Sequence, residues 1–111
     1  MIEIIIKQYL DSRLSVPAFL EYPEESLKEF VIFEKTSSEK SNHLPTSTFA
    51  FQSYAESMYG SALLNEEVKE VVENMIELDE IRSIKLNSDY NFTDTTTKEY
   101  RYQAVFDIKH Y

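Results

Sequence analysis

Apolar residues recur at helical spacing between Ser57 and Leu78, and they predict one long amphipathic helix. The apolar stripe consists of Leu64, Val68, Val71, Val72, Met75 and Leu78. Ser57 is suited to cap this helix, because its hydroxyl can accept a hydrogen bond from the free amides of the first turn. We therefore expect the stripe to pack on a core and the opposite side of the helix to face solvent or a partner.

The opposite side of this helix is acidic. It carries Glu66, Glu67, Glu70, Glu73 and Glu77. Lys69 is the only basic residue between Glu66 and Glu77. Negative charge at the C-terminal end, at Glu77, Asp79 and Glu80, opposes the helix dipole and costs about 0.3 to 1 kcal/mol per group. The position of these acids indicates that they serve something other than the stability of the helix. For most of the acidic residues, however, a solvated helix face is the simpler interpretation.

Residues 2–14 predict a second, shorter amphipathic helix. Its apolar residues lie at helical spacing and are Ile2, Ile5, Ile6, Tyr9, Leu10 and Leu14. A strand is the alternative, because isoleucine has a low helix propensity, but the alternation of a strand fails at residues 4–6, which are all isoleucine. After the break at Pro17, residues 18–22 predict a short extended segment at a sheet edge.

Four further segments have the pattern of strands and cover residues 30–35, 46–54, 83–92 and 100–109. The first is apolar on both parities, so we expect it to be covered on both faces or to lie between subunits. The last two alternate clearly and predict antiparallel strands with one buried face. In residues 83–92 that face is expected to carry Ile84, Leu86, Tyr90 and Phe92.

Two polar segments without periodicity, Thr36 to Pro45 and Thr93 to Glu99, are predicted to be loops. Loops of this length are often functional. The order of elements is helix, three strands, long helix and two strands. It predicts one α+β domain over residues 1–111, a mostly antiparallel sheet with the long helix and the short N-terminal helix packed against it.

The charge balance narrows the functional classes. The chain has 20 acidic and 11 basic residues and a formal net charge of −9, which opposes binding to nucleic-acid phosphates. It has no Cys, and its single glycine, Gly60, excludes a glycine-rich phosphate loop. No signal peptide and no stretch of about 18 to 20 apolar residues is visible. We therefore expect a soluble intracellular protein.

No catalytic or metal-binding constellation is visible in the sequence. His43 and His110 are the only histidines, one in a predicted loop and one near the C-terminus. A two-histidine metal site or a catalytic triad therefore has little to build on. Carboxylates are so abundant in this chain that a pair of them does not indicate a catalytic site. We expect a protein without enzymatic activity, metal or cofactor.

Four runs of the sequence resemble a known class of protein. They are residues 48–55 (TFAFQSYA), 64–69 (LNEEVK), 85–94 (KLNSDYNFTD) and 100–107 (YRYQAVFD). Together with the order of elements, these runs resemble the small neck and tail-completion proteins of tailed bacteriophages and of prophages of Gram-positive bacteria. Within that class the chain is most similar to the tail terminators.

The resemblance implies a virion structural protein that is made in the host cytoplasm and has a tail-terminator-like fold. Such proteins form a ring, commonly a hexamer, at the head-proximal end of the tail tube, stop its polymerisation and join the tail to the head. The implied partners are further copies of the chain, the tail tube protein and a head-completion or neck protein. Neither a membrane nor a cofactor is implied.

Two sets of residues are candidates for these contacts. The interface candidates lie in the predicted loops and are Ser38, Glu39, Lys40, His43, Thr95, Thr96 and Lys98. The acidic helix face, Glu66, Glu67, Glu70, Glu73 and Glu77, is the candidate lining of a lumen through which DNA passes without specific binding. Two alternatives remain open: another small neck or minor structural phage protein, and an acidic inhibitor or DNA mimic that blocks a basic protein.

Overall fold

The computed structural model describes residues 1–41 and 44–111. Within these ranges the chain forms two α-helices, one short 3-10 helix and a five-stranded sheet. The elements are α1 (Ile2–Arg13), β1 (Ala18–Phe19), β2 (Phe30–Ser41), β3 (Leu44–Ala55), α2 (Met58–Asn74), the 3-10 helix (Met75–Glu77), β4 (Ile81–Asn91) and β5 (Tyr100–His110). The predicted α+β class, both helices and the mostly antiparallel sheet are confirmed.

The strand order in the sheet is β1-β2-β3-β5-β4. β1 is parallel to β2, and the other three pairs are antiparallel. β1 lies at the edge that was predicted for residues 18–22, although it is only two residues long. The backbone amide of Val31 also donates to the carbonyl of Pro17 at 3.0 Å, so the break after α1 leads directly into the sheet.

Both helices lie on one face of the sheet, here called the covered face. The largest buried side chains between the two layers are Phe33, Phe49, Phe51 and Phe106 from the strands and Ile6, Leu10, Val68, Val72 and Met75 from the helical side. Leu64 is also buried, and Val71 and Leu78 are half-buried against this core. The predicted apolar stripe of the long helix is therefore confirmed, and a 3-10 turn after Asn74 keeps Met75 inside.

Ser57 caps α2 as predicted. Its backbone is extended, and its Oγ accepts a hydrogen bond from the amide of Gly60 at 2.9 Å. We expect Ser57→Ala to lower the free energy of unfolding by about 1 kcal/mol, because one amide of the first turn then has no protein acceptor. Ser57→Asp keeps an acceptor and should stay near the parent in urea denaturation. Equal stability of the Ala and Asp variants would contradict this role.

The structure corrects the prediction of a loop from Thr36 to Pro45. β2 continues to Ser41 and β3 begins at Leu44, and the two strands pair as one long hairpin. We call its outer part, Thr36–Ser41 and Leu44–Ser47, the hairpin arm. Strands of 12 residues span about 40 Å at roughly 3.3 Å per residue, which matches the longest dimension of the domain, 43 Å.

A β-bulge corrects the predicted face of β4. Before it, Leu86 pairs with Phe106 on the covered face; after it, Tyr90 pairs with Gln103 on the opposite face. The register shifts between Leu86 and Ser88, where one extra residue reverses the parity of everything that follows. The prediction that β4 has one buried face is therefore wrong.

The exposure of β4 follows from this change and from the position of α2. Leu86, Tyr90 and Phe92 are 46%, 42% and 38% exposed. Only Ile84 of the predicted face packs against the core, together with Ile81 at the start of the strand. Since α2 packs mainly on β3 and β5, its apolar stripe does not cover the outer part of β4.

Candidate interaction surface

The second face of the sheet has no helix on it and is here called the open face. The strand registers arrange its side chains in five rows across the sheet. From one end to the other, the rows are Phe30, Tyr54 and Arg101; Ile32, Gln52, Gln103 and Tyr90; Glu34, Ala50, Val105 and Ser88; Ser37, Thr48, Asp107 and Lys85; and Glu39, Thr46, Lys109 and Ser83. The surface is therefore aromatic at one end and charged at the other.

A chain of side-chain hydrogen bonds crosses the open face. The hydroxyl of Tyr54 donates to Oε1 of Gln52 at 3.1 Å, and Nε2 of Gln52 donates to Oε1 of Gln103 at 2.8 Å. Nε2 of Gln103 donates in turn to the hydroxyl of Tyr90. Because each amide is held by its neighbours, the row beside the aromatic end of the open face has a fixed polar arrangement. Sequence reasoning missed it, although two glutamines on the polar parity of adjacent strands were a usable signal.

A second group of contacts fixes a carboxylate nearer the hairpin arm. Asp107 accepts from Oγ1 of Thr48 at 2.8 Å and from Nδ2 of Asn87 at 3.1 Å. Lys85 lies directly across from Asp107 on β4, and Lys109 follows on β5. This end of the open face therefore carries two bases, Lys85 and Lys109, beside the fixed carboxylate of Asp107 and the exposed Glu39.

The aromatic end of the open face borders a cleft of about 590 Å³. The rings of Phe30 and Tyr54 stack with centroids 4.6 Å apart, and Tyr22 meets both of them edge-on. Arg101 lies over the ring of Phe92 at 4.5 Å. Residues 30–35 were predicted to be covered on both faces or to lie between subunits, and this aromatic cluster is what buries Phe30 on the open face.

Glu99 connects the segment before β2 to the turn between β4 and β5. It accepts from the hydroxyl of Tyr22 at 2.6 Å and pairs with Arg101 at 3.0 Å. The hydrogen bond to the carboxylate, and after it burial, raises the pKa of Tyr22 from about 10 to about 12. The neutral phenol is therefore the form that the folded chain stabilises.

This pKa shift predicts a pH-dependent stability difference. A group whose folded pKa is raised contributes fully below its unfolded pKa and loses its contribution as pH rises through the folded value. We expect Tyr22→Phe to melt below the parent by a constant margin at pH 7 to 9, and the margin to close between about pH 10 and 12. Tyr59→Phe, at a 75% exposed position, is the control. A margin independent of pH would refute the role of Glu99.

Two of the acidic side chains that were predicted to line a lumen already contact other parts of the chain. Glu67 accepts from both the amide and the hydroxyl of Ser15 at 2.8 Å. Glu77 accepts from the hydroxyl of Tyr9 at 3.0 Å and from Arg13 at 2.8 Å. These two glutamates therefore hold α1 and the segment after it against α2 and the 3-10 helix, a role that the sequence did not indicate.

A third acid of this helix belongs to a polar cluster between α2 and β4. Glu66 pairs with Lys69, which also pairs with Asp89 on β4. Asp89 accepts a further hydrogen bond from Nδ2 of the buried Asn65 at 2.7 Å. The hydrogen bonds to Asp89, and then to Glu66, raise the pKa of the Lys69 ammonium. This cluster can form because the bulge in β4 turns Asp89 towards the covered face.

The exposed outer side of α2 changes character along its length. Tyr59 and Leu63, near its start, are 75% and 54% exposed. Glu66, Glu70 and Glu73 follow on the same side and are exposed. Glu77, in the 3-10 helix, is exposed as well, so of the five candidate lumen residues only Glu67 is half-buried.

The remaining candidate residues lie at opposite ends of the sheet. Ser38, Glu39 and Lys40 are exposed strand residues of the hairpin arm, and His43 lies outside the described residues. At the other end, Thr95, Thr96 and Lys98 are exposed in the turn that Asp94 and Glu99 close by a pair of backbone hydrogen bonds of 3.1 Å. Lys98 has φ 57. The two candidate sets are therefore not brought together.

Comparison with models of known protein families gives no match, and comparison with curated proteins gives none either. No helix in the described ranges is long and apolar enough to cross a membrane. Across residues 1–41 and 44–111, no group of three or more His, Asp or Glu side chains is arranged to hold a metal ion.

Proposed function

We propose that the chain is a structural protein of a phage or prophage virion, a tail terminator that forms a ring at the head-proximal end of the tail tube. The observation that carries the proposal is the position of two polar segments at opposite ends of a domain 43 Å long. They are the hairpin arm, whose β2 strand is exposed from Thr36 to Lys40, and the β4–β5 turn. A protein inserted between two others needs a contact region at each end. The four runs of sequence that resemble tail terminators support the same function.

The ring would surround the path of the DNA. A lining that neutralised phosphates would bind the DNA and slow its passage, so a negative lining suits this position. The net charge of −9 supports such a lining, and the outward carboxylates of Glu66, Glu70 and Glu73 are the groups on α2 that would supply it. Glu66, Glu67 and Glu77 would contribute less than Glu70 and Glu73, because each of the three already holds a partner within the chain.

Deletion of the chain from the phage or prophage that encodes it tests this function. Without a terminator the tube has no stop, so electron microscopy should show tails of irregular, excessive length that are not joined to heads. Supplying the protein from a plasmid should restore a uniform length and joined particles. Tails of regular length that lack only heads would indicate another neck protein instead, and normal virions would leave the inhibitor or DNA mimic as the better function.

A further inference from the structure

Both outer edges of the sheet are open in the described part of the chain. β1 pairs with β2 at Val31 and Ile32, and no strand lies beside β2 from Glu34 to Ser41. At the other edge, β4 has β5 on one side and no strand on the other in the described ranges. The unpaired amides and carbonyls of such edges are a template for pairing with another chain.

The directions of the two edges are compatible with each other. β2, β3, β5 and β4 alternate in direction along the sheet, so β2 and β4 run antiparallel. When β4 of one copy lies beside β2 of the next, the alternation continues and all helices stay on the same side. The contact joins two different surfaces, and a head-to-tail contact of this kind generates a ring when its rotation closes. The two register shifts in β4 are bulges, which bend a strand and increase its twist, as the edge of a closed ring needs.

The charges on the two edges are complementary. Glu34 and Glu39 are the charged side chains that β2 carries on the open face along its free edge. On β4 the corresponding face carries Lys85, and Arg82 lies in the preceding bulge. Within the described residues none of these four side chains forms an ion pair. Opposite charges that face each other across two strands stabilise the pair and select its register.

We propose that the free edge of β2, Glu34–Ser41, pairs with β4 of a second copy, so that neighbouring subunits form one continuous antiparallel sheet with Glu39 opposite Lys85. This inference rests on the proposed ring and specifies how its subunits meet. The backbone hydrogen bonds supply most of the contact, and the Glu39–Lys85 pair fixes the register.

Charge reversal tests the register in the full chain. We expect Glu39→Lys and Lys85→Glu each to raise the midpoint concentration of self-association about tenfold, because an attraction becomes a repulsion. A mixture of the two variants should associate like the parent, since alternating subunits place unlike charges at every contact. Lys109→Glu makes the same charge change as Lys85→Glu, but on the inner strand β5, and is the matched control for that variant. If both single variants associate like the parent, or if the mixture fails to recover, the proposed register is wrong.

Disulfide trapping covers the case in which the contact is weak in solution. The chain has no Cys, so Glu39→Cys with Lys85→Cys introduces the only thiols. Mild oxidation of this double variant should give a ladder of covalent oligomers on a denaturing gel, whereas Glu39→Cys with Lys109→Cys should not. Absence of a ladder at every concentration and on assembled tails would overturn the edge pairing. Tail length in the deletion strain is measured independently, so failure of the ladder with overlong tails would leave the terminator function intact.

Discussion

Val68→Asp is expected to unfold the domain. Val68 is fully buried in the cluster that joins α2 to the sheet. A carboxylate there either stays charged without a partner or takes up a proton, and either outcome lowers the free energy of unfolding by several kcal/mol. Since small domains have a stability of about 5 to 15 kcal/mol, most or all of the folded population should be lost. Thermal melting followed by circular dichroism measures the effect.

Glu70→Ala is the matched control on the same helix. Glu70 is exposed two residues further along, so its truncation should change the free energy of unfolding by no more than about 0.5 kcal/mol. If Val68→Asp melted at the same temperature as the parent and as Glu70→Ala, α2 would not present the buried face described here.

Shortening the hairpin arm is expected to abolish the joining of tails to heads while the domain remains folded. Glu39 and Thr46 pair across the two strands, so replacing residues 40–45 by Asn-Gly gives a two-residue hairpin turn in the existing register. Lys40, Leu44 and Pro45 lie outside the buried hydrophobic clusters, so the melting temperature should stay within a few degrees of the parent. Complementation of the deletion strain measures the yield of joined particles.

The control for this variant lies on the same strand pair. Thr46→Ala retains the full length of the arm and removes one side chain, and it should support joining at the parental level. A full yield of virions from the shortened variant, at normal protein levels, would show that the arm is dispensable and would remove the basis for assigning a contact to this end.

The elements that the sequence predicted are those whose signal is local. The stripe of α2, its cap at Ser57 and the alternation of β5 each follow from residues close together in the chain. The hairpin arm has no apolar periodicity, because its strands are held by backbone pairing outside the core, and composition alone therefore indicated a loop. A run of Ser and Thr residues has the same sequence pattern whether it forms a paired strand or a loop.

The features that were missed depend on contacts between distant residues. The bulge after Leu86 is visible only against the register of β5. Glu67 contacts Ser15, which is 52 residues away, and no pattern on the helix itself distinguishes it from an exposed neighbour such as Glu70. The ring, its negative lumen and its partners stay predictions that the assembly experiments address.

The central position of β3 has a consequence for the order of folding. β3 pairs on one side with β2, its neighbour in sequence, and on the other with β5, whose pairing of Thr46 with Lys109 spans 63 residues. Closing a short loop loses less entropy than closing a long one, and local hairpins form in microseconds. The two local hairpins, β2–β3 and β4–β5, should therefore form before β3 pairs with β5. The slow step of folding is then the pairing of β3 with β5, so the sheet cannot be completed on the ribosome until β5 has emerged.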